Sequence, residues 1–164
     1  RHCLRQSRER REPPANKKIL PSIKNSRRHT QKTADKKNND DITFQIRAAI
    51  IEVNKELGYG FLEKVYEKAL MIELSSRGVR VENQVPLKVS YKEQVVGEYF
   101  ADLLVEGRVI VEIKAVANLL NEHEAQLLNY LKATGICVGL LVNFTRNKAE
   151  IKRMVLDLPE GQRE

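Results

Sequence analysis

The chain has 164 residues, 41% of them hydrophobic and 31% charged, which fits one globular domain able to bury a core without disulfides or a structural metal. No apolar run approaches the roughly 18 residues of a transmembrane helix, the basic N-terminus has no apolar segment behind it to make a secretory signal, and two cysteines, Cys3 and Cys137, exclude a disulfide scaffold and a four-cysteine zinc site. The expected setting is a reducing cytoplasm with no membrane attachment, and the net charge of +7 is uneven: residues 1–40 hold 13 Lys and Arg against 4 Asp and Glu, residues 41–164 hold 16 against 18.

Residues 1–40 contain no Phe, Tyr or Trp, three of the five prolines and none of the eight glycines. Such a segment buries too little apolar surface to offset its ordering entropy, so the expectation is a disordered basic tail. Two readings of it stand: an arm that holds phosphates loosely, or upstream sequence that is not native to the protein. A domain over residues 41–158 follows, with a short tail at 159–164.

From Asp41 the pattern becomes helical. Ile42, Ile46, Ala49, Ile50, Val53 and Leu57 recur at helical spacing and Gly58 stops them. A second helix is predicted from Leu62 to Arg77, with Leu62, Val65, Tyr66, Ala69, Leu70 and Leu74 inward and Gly78 as its stop. The period then switches to two: Val79, Val81, Val85, Leu87, Val89 and Tyr91 alternate with polar residues, as in a half-buried strand, with Pro86 as a possible interruption. Lys92-Glu93-Gln94 reads as a turn. A second strand spans Val95 to Val105 and a third Val109 to Ala115, joined through Gly107. A third helix is predicted from Asn121 to Thr134 and a buried strand from Ile136 to Asn143. Lys148 to Leu156 reads equally as a short helix or an edge strand. The order ααβββαβ implies an α/β fold, a mixed sheet sandwiched by helices.

The third strand carries the chemistry. Glu112 and Lys114 stand two apart, on one face, while Val109, Val111 and Ile113 make the other face wholly apolar. A charge in such a strand is costly unless paired or used. If Glu106-Gly107-Arg108 forms a three-residue loop with a left-handed residue, Asp102 falls opposite Glu112. A two-residue loop would set it opposite Val111, on the wrong face. Two carboxylates and a lysine at one spot can hold Mg²⁺ or Mn²⁺ through hard oxygen ligands, polarise a phosphodiester and stabilise charge developing on it. The same residues could equally be a structural ion pair at a sheet edge.

Asp102 followed by Glu112-Ile113-Lys114 resembles the D…(D/E)xK core of the PD-(D/E)XK nuclease superfamily. Gly60-Phe61-Leu62-Glu63-Lys64-Val65-Tyr66 is similar to the signature of the GxxExxY family, a small bacterial and archaeal branch of it. The likeness extends through Gln84-Val85-Pro86-Leu87, Tyr91, Ala101 to Val105, Ala125 to Leu131 and Leu140 to Phe144, covering about Ile42 to Leu156. The chain departs from the pattern at Asn54, where His is frequent, at Tyr59, where Pro is frequent, and at Ala101, which stands in place of the Pro before Asp102.

The resemblance implies a restriction-endonuclease-like core and a Mg²⁺- or Mn²⁺-dependent nuclease acting on nucleic acid, most simply DNA. Asp102 and Glu112 would hold the metal, helped by Glu63 and the backbone carbonyl of Ile113, and Lys114 would assist the attacking water. Glu63 would face the metal from its helix as in RecB-like nucleases; with Gly60 as N-cap it would instead sit at N3, simply complementing the helix dipole. Gln126 and Tyr130, one turn apart on the third helix, look like the QxxxY element of RecB-like cores, or else a polar residue beside a packed tyrosine. Tyr66 reads equally as core or site, Gln84 approaches the site, His123 reads as surface and Cys137 as a core thiol. The alternative function is a nuclease-fold module that binds nucleic acid or a protein without turnover. The slightly acidic body points to a homo-oligomer, a basic partner or the arm as the source of nucleic-acid affinity.

Overall fold

The computed structural model describes residues 22–157, with side chains from residue 35 onward apart from residue 37. Eight elements follow in chain order: α1 (Ser22–Leu57), α2 (Glu63–Ser76), β1 (Val81–Tyr91), β2 (Gln94–Val105), β3 (Val109–Lys114), α3 (Asn121–Thr134), β4 (Val138–Phe144) and β5 (Ala149–Val155). The strands form one five-stranded sheet in sequential order, antiparallel except for the parallel pair β3–β4, which α3 connects. Ile42, Ile46, Ile50, Tyr66, Leu70 and Leu74 pack α1 and α2 on one face. On the other face Leu127, Tyr130 and Leu131 of α3 cover Ile110 and Leu141. The α/β architecture is therefore the mixed sheet between helices that the element order implies.

Three expectations are corrected. First, α1 begins at Ser22, so residues 22–40, expected to be disordered, are helical here. Once the apolar stripe from Ile42 to Val53 docks the helix, extending it costs far less than nucleating it, and residues 22–40 hold no glycine to oppose this. Ion pairs from Asp35 to Arg108 (3.3 Å) and Asp40 to Arg153 (2.8 Å) tie the extension to the sheet. The expectations for residues 1–21 and 158–164 lie outside the described residues.

Second, α2 starts at Glu63 with Leu62 as N-cap. Leu62 and Val65 are therefore exposed rather than inward, and Glu63 is the first helical residue rather than N3. Third, the alternating residues of β1 do not share one face. Val81 and Leu103 pack under α1 and α2, whereas Leu87 and Ala101, of the same parity, pack under α3. The change of face falls at Gln84 and its register partner Asp102, although the ladder runs unshifted from Asn83↔Leu103 to Val85↔Ala101. Gln84 has a φ of 51°, which turns the strand about its axis. Beyond it, Tyr91 is exposed.

Two connections set the register. Lys92 and Glu93 both take positive φ, giving a two-residue hairpin between Tyr91 and Gln94. Glu106 (φ 52°) and Gly107 (φ 64°) make the three-residue loop to β3, and Val105 pairs with Val109. The Leu103↔Val111 pairing then sets Asp102 level with Glu112. β5 resolves the ambiguous final element as an edge strand on β4. Gly139 is needed where α3 crosses β4, because a Cβ there would lie 2.9 Å from Leu127 Cδ1.

Candidate functional site

Asp102, Glu112 and Lys114 come together where β2 and β3 part. The register brings Asp102 level with Glu112, but its carboxylate turns into the ladder and Oδ2 accepts the Ile113 N–H at 2.8 Å. Its other oxygen faces the Gln84 amide at 3.4 Å. Burial raises the Asp102 pKa; the Ile113 N–H and Lys114 pull it down, the Glu67 and Glu63 charges push it up, and the balance is upward.

Glu112 is 3% exposed. Its Oε1 pairs with Lys114 Nζ at 3.0 Å, and its Oε2 is buried with no hydrogen-bond partner among the described residues. Burial, then the Asp102 charge, drives its carboxyl up to about 7 against the pull of Lys114 and of the Asp102 backbone N–H. Burial taken alone lowers Lys114, but the Glu112, Glu63 and Asp102 charges outweigh it and its pKa rises. The two partners thus move in the same direction for different reasons. One ammonium stays charged, and it cannot compensate two buried carboxylates.

The other expected residues gather at different ranges. Ile113 contributes its N–H to Asp102, while its side chain lies in the core. Glu63 reaches the end of β3 from α2, its Oε1 3.4 Å from the Ala115 N–H. Gln126 Nε2 donates to the Tyr130 hydroxyl at 2.8 Å. Burial raises the Tyr130 pKa against the Gln126 hydrogen bond, with the Glu112 and Asp102 charges adding to the rise and Lys114 opposing it.

Among the described residues no three His, Cys, Asp or Glu side chains form a ready-made metal cage. The fit to a hard cation rests instead on Asp102 and Glu112 with water or backbone oxygens completing the shell. The orphaned Glu112 Oε2 is the observation that supports it, because a buried carboxylate oxygen without a donor is costly unless something binds it. A cleft of about 310 Å³ lies between Val85, Leu87, Thr134 at the end of α3 and Ile136 just beyond it, and includes neither acid.

A family model of the PD-(D/E)XK nuclease superfamily matches residues 40–154. The chain belongs to this superfamily. No curated protein matches it. A solved structure titled "Crystal structure of SSO0001" is similar at 20% identity with a TM-score of 0.47, over 59% of this chain and 51% of the other, so the match spans about half of that protein's length.

Within the superfamily core, sequence reasoning missed Glu67. It is one helical turn after Glu63, 3% exposed, and accepts Lys64 Nζ on both oxygens at 2.9 Å, Asn83 Nδ2 at 3.2 Å and Gln84 Nε2 at 3.0 Å. The available signal was its i+4 spacing from Glu63, which sets both acids on one helix face. Asn143, wholly buried, was also missed as a positioning group; its amide bonds both the N–H and the carbonyl of Val116 at 3.0 Å, fixing the loop after β3. Tyr66 is core: it stacks on Phe144 at 4.0 Å and its hydroxyl donates to the Gly58 carbonyl. His123 stands partly exposed at the start of α3, its Nδ1 accepting the Leu120 N–H at 3.1 Å.

Proposed function

We propose that this protein is a divalent-metal-dependent nuclease of the GxxExxY, RecB-like branch of its superfamily, working in the cytoplasm on phosphodiester bonds of nucleic acid, with DNA as the substrate. The observation that carries the proposal is the unpartnered, buried Glu112 Oε2 beside a second carboxylate and a retained lysine. Asp102 and Glu112 are the proposed holders of Mg²⁺ or Mn²⁺, with Glu63 and the Ile113 carbonyl as further oxygen donors. A bound ion would polarise the phosphodiester and acidify a water.

The chain's own residues then have distinct tasks. In the metal-free site the Glu112, Glu63 and Asp102 charges favour Lys114 as an ammonium. As an ammonium it would donate to the attacking or phosphoryl oxygen. Gln126 and Tyr130 present an amide and a hydroxyl from α3, suited to a phosphate oxygen or a water in the metal's outer shell. Residues 41–164 carry two more acidic than basic groups, so a second copy, a basic partner protein or the N-terminal arm supplies the attraction for a polyanion.

One observation favours the alternative of a module that binds without turnover: Glu112 and Lys114 already pair at 3.0 Å, and no third carboxylate completes a cage among the described residues. Calorimetric Mn²⁺ titration separates the readings. The nuclease reading expects a site that is lost in Asp102→Ala. Absence of Mn²⁺ binding to the wild type would leave the non-catalytic module.

A further inference from the structure

Gln84 is the residue of β1 whose backbone departs furthest from a strand. Its φ of 51° is one that glycine adopts freely and glutamine does not. A regular β-strand does not need this. The conformation does two visible things: it turns the strand, so that Val81 and Leu87 pack on opposite faces of the sheet, and it aims the side chain of Gln84. It brings the side-chain amide between two carboxylates, 3.0 Å from Glu67 Oε2 and 3.4 Å from Asp102 Oδ1.

Each end of that bridge is fixed by something else. Glu67 is buried and clamped by Lys64 and Asn83, so it cannot follow Gln84 if the amide moves. Asp102 is held on its other oxygen by the Ile113 N–H. A carboxylate with a donor on each oxygen has no free rotation about its last bond. Its remaining lone pairs then keep one orientation relative to Glu112. Strained backbone conformations persist where the surrounding structure overdetermines them, and here the clamp is Glu67.

We propose that Gln84 is a positioning residue for the metal site: anchored by Glu67, its amide locks the Asp102 carboxylate in the orientation that binds the cation. The inference rests on the nuclease reading and assigns a role that the superfamily membership alone does not. Groups that hydrogen-bond a metal ligand from outside typically change metal affinity or activity by about ten- to a hundredfold when removed.

Gln84→Gly tests it cleanly, because glycine accepts the positive φ while removing the amide, and Glu67 Oε2 keeps Lys64 as a partner. The expected result is a melting temperature equal to or above that of the wild type. Mn²⁺ affinity by calorimetry should fall about ten- to a hundredfold. In cleavage, the metal concentration for half-maximal rate should rise while the rate at saturating Mn²⁺ returns most of the way. A variant with unchanged Mn²⁺ affinity overturns the role of Gln84 and leaves the metal site standing. A variant that melts far below the wild type, with affinity unchanged where it is folded, makes Gln84 structural and also overturns it. Failure of the wild type to bind Mn²⁺ rejects the metal site itself, and this proposal with it.

Discussion

Replacing Glu112 by Gln should stabilise the metal-free protein at alkaline pH while destroying its metal site. Burial and the Asp102 charge lift the Glu112 carboxyl from 4.5 to about 7. A raised folded-state pKa means that the native state binds the proton more tightly than the unfolded chain does. Stability from this group is therefore present at low pH and is lost as pH rises from about 4.5 through 7. Each tenfold difference in proton affinity between the folded and unfolded states is worth about 1.4 kcal/mol, so the ionised group destabilises the fold by on the order of 3 kcal/mol at pH 8 and by less than about 1 at pH 5. Glutamine keeps the shape without the charge and escapes this cost. Urea unfolding with chelator, at about pH 5 and pH 8, should show Glu112→Gln gaining on the wild type by about 2–3 kcal/mol between the two. Mn²⁺ at a hundred times its dissociation constant should add about 2.7 kcal/mol to the wild type and nothing to the variant. If Glu112→Gln is instead the less stable protein at pH 8, by the roughly 3–5 kcal/mol expected for a broken buried pair, the Glu112–Lys114 contact is a structural ion pair and the reasoning fails.

Lys114→Ala should lower metal-dependent cleavage by about a hundredfold or more while leaving Mn²⁺ binding intact or tighter, since removing an ammonium beside two carboxylates favours a cation; equal cleavage by the variant would exclude a catalytic lysine. Asp102→Ala should lose Mn²⁺ binding and cleavage together, as a deleted ligand must, and a variant that binds Mn²⁺ normally would remove Asp102 from the site. Gly139→Ala should destabilise the fold by about 1–3 kcal/mol, because the new Cβ would press on all of Leu127 beyond its Cβ, at 2.9–3.1 Å; a melting temperature equal to the wild type's would mean that α3 shifts freely.

The centre of the site was readable because two local rules suffice for it. Strand alternation puts Glu112 and Lys114 on one face, and the three-residue loop at Glu106–Arg108 sets Asp102 level with Glu112. Neither rule needs a distant contact. The parts that were misread all depend on one. Leu62 and Val65 fit the apolar period of α2, but the helix begins at Glu63, and both side chains end outside the packed stripe. Gln84 was expected near the site, but its positive φ, which turns β1 and aims the amide at Glu67 and Asp102, has no sign in the alternating pattern around it. Glu67 on a helix resembles any solvated acid until β1 delivers Asn83 and Gln84 to it. Ser22 to Asp40 is polar enough to read as disordered, and its helix follows from docking further along the chain.

Metal-dependent hydrolysis by Asp102, Glu112 and Lys114 can be observed in a single cleavage assay. Its most direct test incubates the wild type and Asp102→Ala with end-labelled DNA and RNA, each with Mg²⁺, with Mn²⁺ and with chelator. The wild type should cleave DNA with either metal, chelator should stop it, and Asp102→Ala should be inert throughout. Intact DNA and RNA under every metal condition, or cleavage that survives both chelator and Asp102→Ala, would contradict it.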